Sequence, residues 1–257
     1  EFENSLASFN GDLHSLSDYL AEEILSELPE QMKDLLLCTA LLDAFCFDLI
    51  KSCFMSLENE AIDETDFTTL FDKLITSDLF IISLDEERNW FRYHHLFQRI
   101  LLNQFKNKYN SERIHCIILA AARWYEKEGM IDQALNKLIL AGEVSQAAEL
   151  VKAHAHAEFL KGVGKVNTWL NKLPHELIEN NPSLLLLTAW HAFGQFHLEK
   201  IPPILEKLRI LIKDTEPDPQ VLSELYFFEG NFQYWMGDTE GSIETLSKAL
   251  ENGSSLP

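Results

Sequence analysis

His94 and His95 stand side by side in RNWFRYHHLF, residues 88–97, where an aromatic stretch gives way to an apolar one. Imidazoles so placed can ligate a metal, act as a general base, contact a phosphate, or be ordinary junction residues. A metal needs further ligands at useful spacing, and the neighbouring sequence offers none. A general base needs a nucleophile to activate, and the chain has neither a GxSxG nor an HExxH pattern. A phosphate contact asks for less. A histidine at a helix start can donate to an anion that the free N–H groups and the positive dipole end already favour. On residue types alone, the phosphate contact and the ordinary junction both stay open.

Other candidate chemistry is thinner. Gly162-Val163-Gly164-Lys165 invites a phosphate-loop reading, but Val166 stands where a Ser or Thr would meet magnesium, and no apolar strand precedes it. His154 and His156 are two apart, which on a helix points them in different directions, so they read as surface or packing residues. Cys38, Cys46, Cys53 and Cys116 form no CxxC pair and sit in apolar helical stretches, as buried free thiols of a cytoplasmic protein would. Carboxylates are scattered along helical faces where solvation is their role. No enzyme is expected in this chain. Trp190, Phe193, Tyr226, Tyr234 and Trp235, with Phe196 and Phe232 nearby, form a softer signal. They are either core packing or the ligand-binding residues of a concave, aromatic-lined site for a small molecule or a peptide.

The elements that must position these residues are mostly helices. LSDYLAEEILSELP is amphipathic, with Leu16, Tyr19, Leu20, Ile24 and Leu28 on one face, and Pro29 ends it and starts the next helix. MKDLLLCTALLDAF and DLIKSCFMSL have apolar residues at helical spacing. FTTLFDKLITSD predicts a third helix with Leu70, Phe71, Leu74 and Ile75 on its buried side. LFIISL, DEERN and WFRYHH then read as strand, polar turn and strand. Three helices followed by a two-stranded wing is a winged-helix arrangement, and LFQRILLNQF resumes helical spacing directly after the histidines.

From about Ser111 onward the pattern is helical and weakly repetitive. AAARWYEKEGMIDQALNKLILA overlays EGNFQYWMGDTEGSIETLSKAL, with Tyr125 and Gly230 each filling a place of the tetratricopeptide pattern. Gly129, Gly164, Phe196 and Gly237 mark successive helix turns of a unit near the roughly 34 residues of that repeat. The fold class expected is mainly α, a winged-helix domain with a small β-hairpin followed by a tetratricopeptide-like α-solenoid. The domain expectation is a linking helix over 1–28, a winged helix over 29–108 and a helical sensor over 109–257. The opening without Met and the stop at ENGSSLP fit a piece of a longer protein whose solenoid continues.

Composition limits the partners. Net charge is −20. Residues 1–105 hold 6 Lys/Arg against 21 Asp/Glu, or −15, while residues 106–257 hold 15 against 20, or −5. A phosphate backbone repels such a chain, and no basic stripe is present, so direct nucleic-acid contact is not expected. The longest leucine run, Leu184–Leu187, is far short of the roughly 18 apolar residues of a membrane span, and no membrane contact is expected.

The order of the segments carries more than any one of them. SLSDYLAEEILSELPEQMKDLLLCTALLDAF, LITSDLFIISLDEERNWFRYHHLFQRILL, AAARWYEKEGMIDQALNKLILAGEVSQAAELV and WLNKLPHELIENNPSLLLLTAW resemble, in that order, the large ATP-dependent LuxR-type regulators of the maltose-regulator (MalT) kind. WFRYHHLF and the LP…NPSLLLLTAW stretch are the most specific parts, and the resemblance covers nearly the whole chain. These regulators are STAND signal-transduction ATPases, built of a nucleotide-binding core, a winged-helix arm, a helical sensor and an effector domain. The resemblance implies that His94, in Tyr93-His94-His95-Leu96, contacts the β-phosphate of ADP in the intact protein. His95 stands where a related pattern has Asp, so its part in cofactor binding is weaker. No cofactor is implied for this chain by itself; ADP or ATP with magnesium belongs to the intact protein. The implied partners are the nucleotide-binding domain of the same polypeptide and an inducer or protein on the solenoid. The alternative is a protein–protein scaffold in which no nucleotide takes part.

Overall fold

The computed structural model describes residues 25–57, 63–77, 80–108, 110–162 and 164–253. They fall into two compact units, one ending at Lys137 and the other beginning at Leu138, with the division inside a helix. Of the linking helix expected over 1–28, only Leu25–Leu28 lies among the described residues.

The first unit opens with α1 (Glu30–Thr39), which follows Pro29, a residue that cannot serve as a helix-interior donor. Met32, Leu35, Leu36 and Thr39 recur at three- and four-residue steps and are buried. α2 (Phe47–Met55) buries Leu49, Ile50, Cys53 and Phe54. α3 (Glu64–Thr76) turns Phe67, Phe71 and Leu74 inward; Leu70 and Ile75, expected on that side, flank the seam half-buried. The chain then changes period. β1 (Ile81–Ser83) and β2 (Phe91–Tyr93) pair antiparallel with Ile81 opposite Tyr93 and Ser83 opposite Phe91. Asp85 closes the turn by accepting from the backbone N–H groups of Asn89 and Trp90 at 3.0 and 2.9 Å. Three helices and this wing make the winged-helix domain that the sequence pattern called for.

Long-range pairs close the unit. Phe45, in the loop between α1 and α2, exchanges two 2.8 Å backbone hydrogen bonds with Phe91, so a single-residue bridge extends the hairpin. Phe45, Phe91 and Tyr93 form one ring cluster, and all three are buried. α4 (His95–Lys108) continues directly from the wing, and Gln98 Nε2 ties it back by donating to the carbonyls of Ala40 and Leu42. α5 (Ser111–Lys127), capped by Asn110 Oδ1 on the Arg113 N–H, packs on α2. α6 (Ile131–Leu140) carries the division between the units. Cys38 and Cys53 are buried as expected and Cys46 is half-buried, but Cys116 lies on the open side of α5 and is exposed. Burial pushes the Cys38 thiol well above its ordinary pKa, as it also does for Cys46, which keeps both protonated and unreactive.

The second unit is helical throughout its described residues: α7 (Val144–Phe159), α8 (Gly164–Leu170), α9 (His175–Glu179), α10 (Pro182–Gly194), a 3-10 turn (Leu198–Lys200), α11 (Ile201–Ile212), α12 (Pro219–Trp235) and α13 (Thr239–Asn252). Consecutive helices pack on one another, α10 on α11 and α12 on α13. Gly230 of α12 makes the last approach possible, because a Cβ there would stand 2.7 Å from Leu246 Cγ. Helix ends share one device. His197 donates to the Ala192 carbonyl and Asp238 to the Gln233 carbonyl, each five residues back, with Phe196 and Gly237 left-handed at φ +58° and +88°. Met130 and Gly129 repeat it in the first unit. Between α7 and α8 the positive-φ residue is Gly162, at +152°, whereas Gly164 already starts α8. The helix-turn position read at Gly164 therefore belongs two residues earlier.

Candidate functional site

Strand alternation decides which way the wing presents its residues. Tyr93 faces the core and is buried, Arg92 faces outward, and the chain leaves the sheet at His94. The Tyr93 hydroxyl meets Thr39 Oγ1. Thr39 has one hydroxyl hydrogen, used on the α1 carbonyls of Leu35 and Leu36 at 3.0 Å, so the phenol is the donor to Thr39. Burial, the chief cause, raises the Tyr93 pKa far above the ordinary phenol value, which keeps that donor protonated.

This anchor places His94 at the exact end of β2 and start of α4. Its N–H donates to the Phe80 carbonyl at 2.8 Å, and its carbonyl accepts from Gln98 N–H at 3.0 Å, as an N-cap residue's does. The His94 ring is half-buried and lies 4.4 Å from that of His95, tilted by 34°; His95 is exposed. Among the described residues neither imidazole has a hydrogen-bond partner, and no cluster of three His, Cys, Asp or Glu side chains suits a metal. Phe80, across the hairpin, and Leu96, next along the chain after His95, are both exposed. An imidazole at a helix N-terminus suits a phosphate oxygen. It does not suit magnesium, which takes oxygen ligands.

The five aromatics proposed for a ligand divide. Trp190 packs on Phe193, Phe227 and Phe228, and Phe193 stacks on Trp235 at 6.3 Å. Tyr226 is half-buried and Tyr234 exposed, and neither joins that ring cluster. The open space lies elsewhere. A cavity of about 310 Å³ sits where α7, α10 and α12 meet, and none of the five aromatics lines it.

Its distinctive wall is Glu224, which is only 3% exposed. Oε1 accepts from His156 Nε2 at 3.1 Å and Gln220 Nε2 at 3.0 Å, and Oε2 accepts from Trp190 Nε1 at 2.8 Å. Burying a carboxylate is costly unless such donors replace its water. His156, read from its spacing as a surface or packing residue, is thus a partner of a buried acid. The signal for Glu224 was present in the sequence: Val221, Glu224, Leu225 and Phe228 follow helical spacing, all four are buried, and one is charged. In the first unit, a smaller cavity of about 250 Å³ lies beside Trp90, Tyr125 and Lys137, whose buried ammonium donates to the Leu41 carbonyl at 3.0 Å.

Known proteins bear on these sites. Residues 21–113 match the model of the MalT winged helix domain. The HTH-type transcriptional regulator MalT of Vibrio parahaemolyticus is 27% identical over 205 residues, covering 79% of this chain and 21% of that protein. Regulators of the same name from Yersinia pestis and Yersinia pseudotuberculosis are 26% identical over 204 residues, covering 78% of this chain and 21% of theirs. The chain therefore spans about a fifth of the length of these relatives. The MalT-like character read from the segment order holds as a similarity over that span, and residues 21–113 share the winged-helix domain of these proteins. No helix among the described residues is long and apolar enough to cross a membrane.

Proposed function

We propose that this chain is the regulatory part of an ATP-dependent LuxR-type transcriptional activator. The winged-helix arm reads the nucleotide state of the intact protein, and the tetratricopeptide-like helical unit takes up an inducer or a partner protein. The observation that carries this reading is the placement of His94. Its backbone is fixed at both ends by hydrogen bonds, its ring is half-buried without a hydrogen-bond partner among the described residues, and it caps the N-terminus of α4. A helix's first-turn N–H groups have no intrahelical acceptors, so a phosphate there gains both those donors and the dipole. ADP in the intact protein supplies the anion, and His94 supplies a charge-assisted or neutral donor to it.

Such a bond contributes about 1.5–3 kcal/mol, enough to shift a balanced two-state switch ten- to hundredfold. His94→Ala in the intact protein is expected to speed ADP release by that factor and to raise basal transcription. Unchanged ADP affinity together with unchanged basal transcription would remove His94 from the mechanism. A second reading, a scaffold that needs no nucleotide, draws support from Tyr234, Trp235, Met236, Ile243 and Leu250, large apolar side chains left exposed on α12, α13 and the turn between them. An intact protein that binds neither ADP nor ATP would favour it.

A further inference from the structure

Glu224 sits on a helix face whose spacing otherwise calls for apolar residues, and it opens onto a cavity of about 310 Å³. Its three partners satisfy its hydrogen bonding without settling its charge. Trp190 and Gln220 are neutral, and His156 is neutral unless protonated. Among the described residues no lysine or arginine pairs with it. A carboxylate this deep, with donors but no fixed cation, is an electrostatic well for a positive group.

The rest of the lining has the same preference. Asp218 brings a second carboxylate to the wall while its Oδ1 caps α12 through the Gln220 N–H at 2.8 Å. Lys152 also borders the cavity, with its ammonium 2.6 Å from Glu149 Oε1, so the lining carries two carboxylates against one ammonium that already has a carboxylate partner. Leu186, Leu187 and Val221 supply an apolar wall that suits a short methylene chain. We infer that the cavity between α7, α10 and α12 is a binding site for a small organic cation, an amine or guanidinium on a short aliphatic chain, with Glu224 as counter-ion and Asp218 at its side. The inference deepens the sensing role proposed for the second unit and depends on that reading for its purpose, not for the binding itself.

Isothermal titration calorimetry on the 257-residue chain tests it, with agmatine and n-butylamine as cations, butyrate as the anion and glucose as the uncharged polyol. At pH 8 both amines are cations, since alkylammonium and guanidinium groups titrate well above it. Saturable 1:1 binding of agmatine is expected, with butyrate silent. Glu224→Gln should weaken agmatine about tenfold or more, as the loss of one charge-assisted contact does. Asp218→Asn keeps a good N-cap while removing the second charge, and should weaken agmatine several-fold; it decides the matter if Glu224→Gln loses its helical circular dichroism. No amine binding at millimolar concentrations, or agmatine affinity unaltered in the folded variants, overturns the inference. Binding of glucose without either amine also overturns it but leaves a sensing role for the second unit intact. The His94→Ala experiment reads the arm and is independent of every one of these outcomes.

Discussion

The two units stabilise themselves in different ways. The first closes through residues far apart in the chain: Thr39 with Tyr93, Phe45 with Phe91, and Gln98 with Ala40 and Leu42. Its interior sets large aromatics, Phe45, Phe54, Phe67 and Phe91, among equally buried aliphatics such as Leu35, Leu36 and Leu49. The second is built mainly from helices close in sequence, with α10 packing on α7, α8, α9, α11 and α12, and has a leucine- and alanine-rich interior around Leu186, Ala189, Leu205 and Leu208. Long-range closure gives an all-or-none unit, whereas nearest-neighbour stacking lets one pair of helices loosen while the others stay. A fixed junction such as His94 needs the first kind of support. A cavity that must admit a ligand is better served by the second.

Three substitutions test that contrast. Phe45→Ala removes a fully buried ring and should cost about 3–5 kcal/mol, through lost burial and the cavity left behind. Urea unfolding is expected to show the first unit lost as a whole, and a loss confined to the hairpin would break the comparison. Gly230→Ala forces a methyl against Leu246 and should cost about 1–3 kcal/mol. Hydrogen exchange is expected to rise in α12 and α13 alone; a rise spreading to α7 and α10 would show the second unit to be as cooperative as the first. Tyr93→Phe deletes the donor to Thr39 and should cost about 1 kcal/mol, since Thr39 keeps its own carbonyl acceptors.

The tyrosines add a pH dependence to that last prediction. Burial raises the pKa of both Tyr93 and Tyr125 in the folded state. Stability from a raised pKa is complete below the unfolded phenol value, about 10, and is lost as pH climbs above it. The first unit should therefore weaken above about pH 10, and the Tyr93→Phe, Tyr125→Phe double variant should weaken less, as followed by circular dichroism.

Much of the fold was legible because its signals are local. Apolar spacing announces α1 to α3, and β-branched and aromatic runs announce the wing. The His94 junction was legible too, since strand and helix patterns meet there. What escaped was long-range or depended on a single turn. Nothing near Phe45 reveals that it will bridge to Phe91, because the partner is far along the chain. Leu70 and Ile75 were given to the buried face of α3 in place of Phe67, since a 3.6-residue period leaves the centre of a stripe uncertain by one residue. Glu224 was hidden in plain composition: its position on an apolar face is visible only once α12 is laid out as a helix.

α4 leaves the wing without an intervening loop, because His94 is the only residue between Tyr93 and His95. Its 14 residues make a rod of about 21 Å at 1.5 Å per residue. Gln98 clamps that rod to the α1–α2 loop near one end, and Leu101 and Phe105, both fully buried, seat it in the core farther along. The histidine junction is thus welded to a helix that the interior holds at several points, so whatever displaces His94 has to strain the centre of the first unit with it.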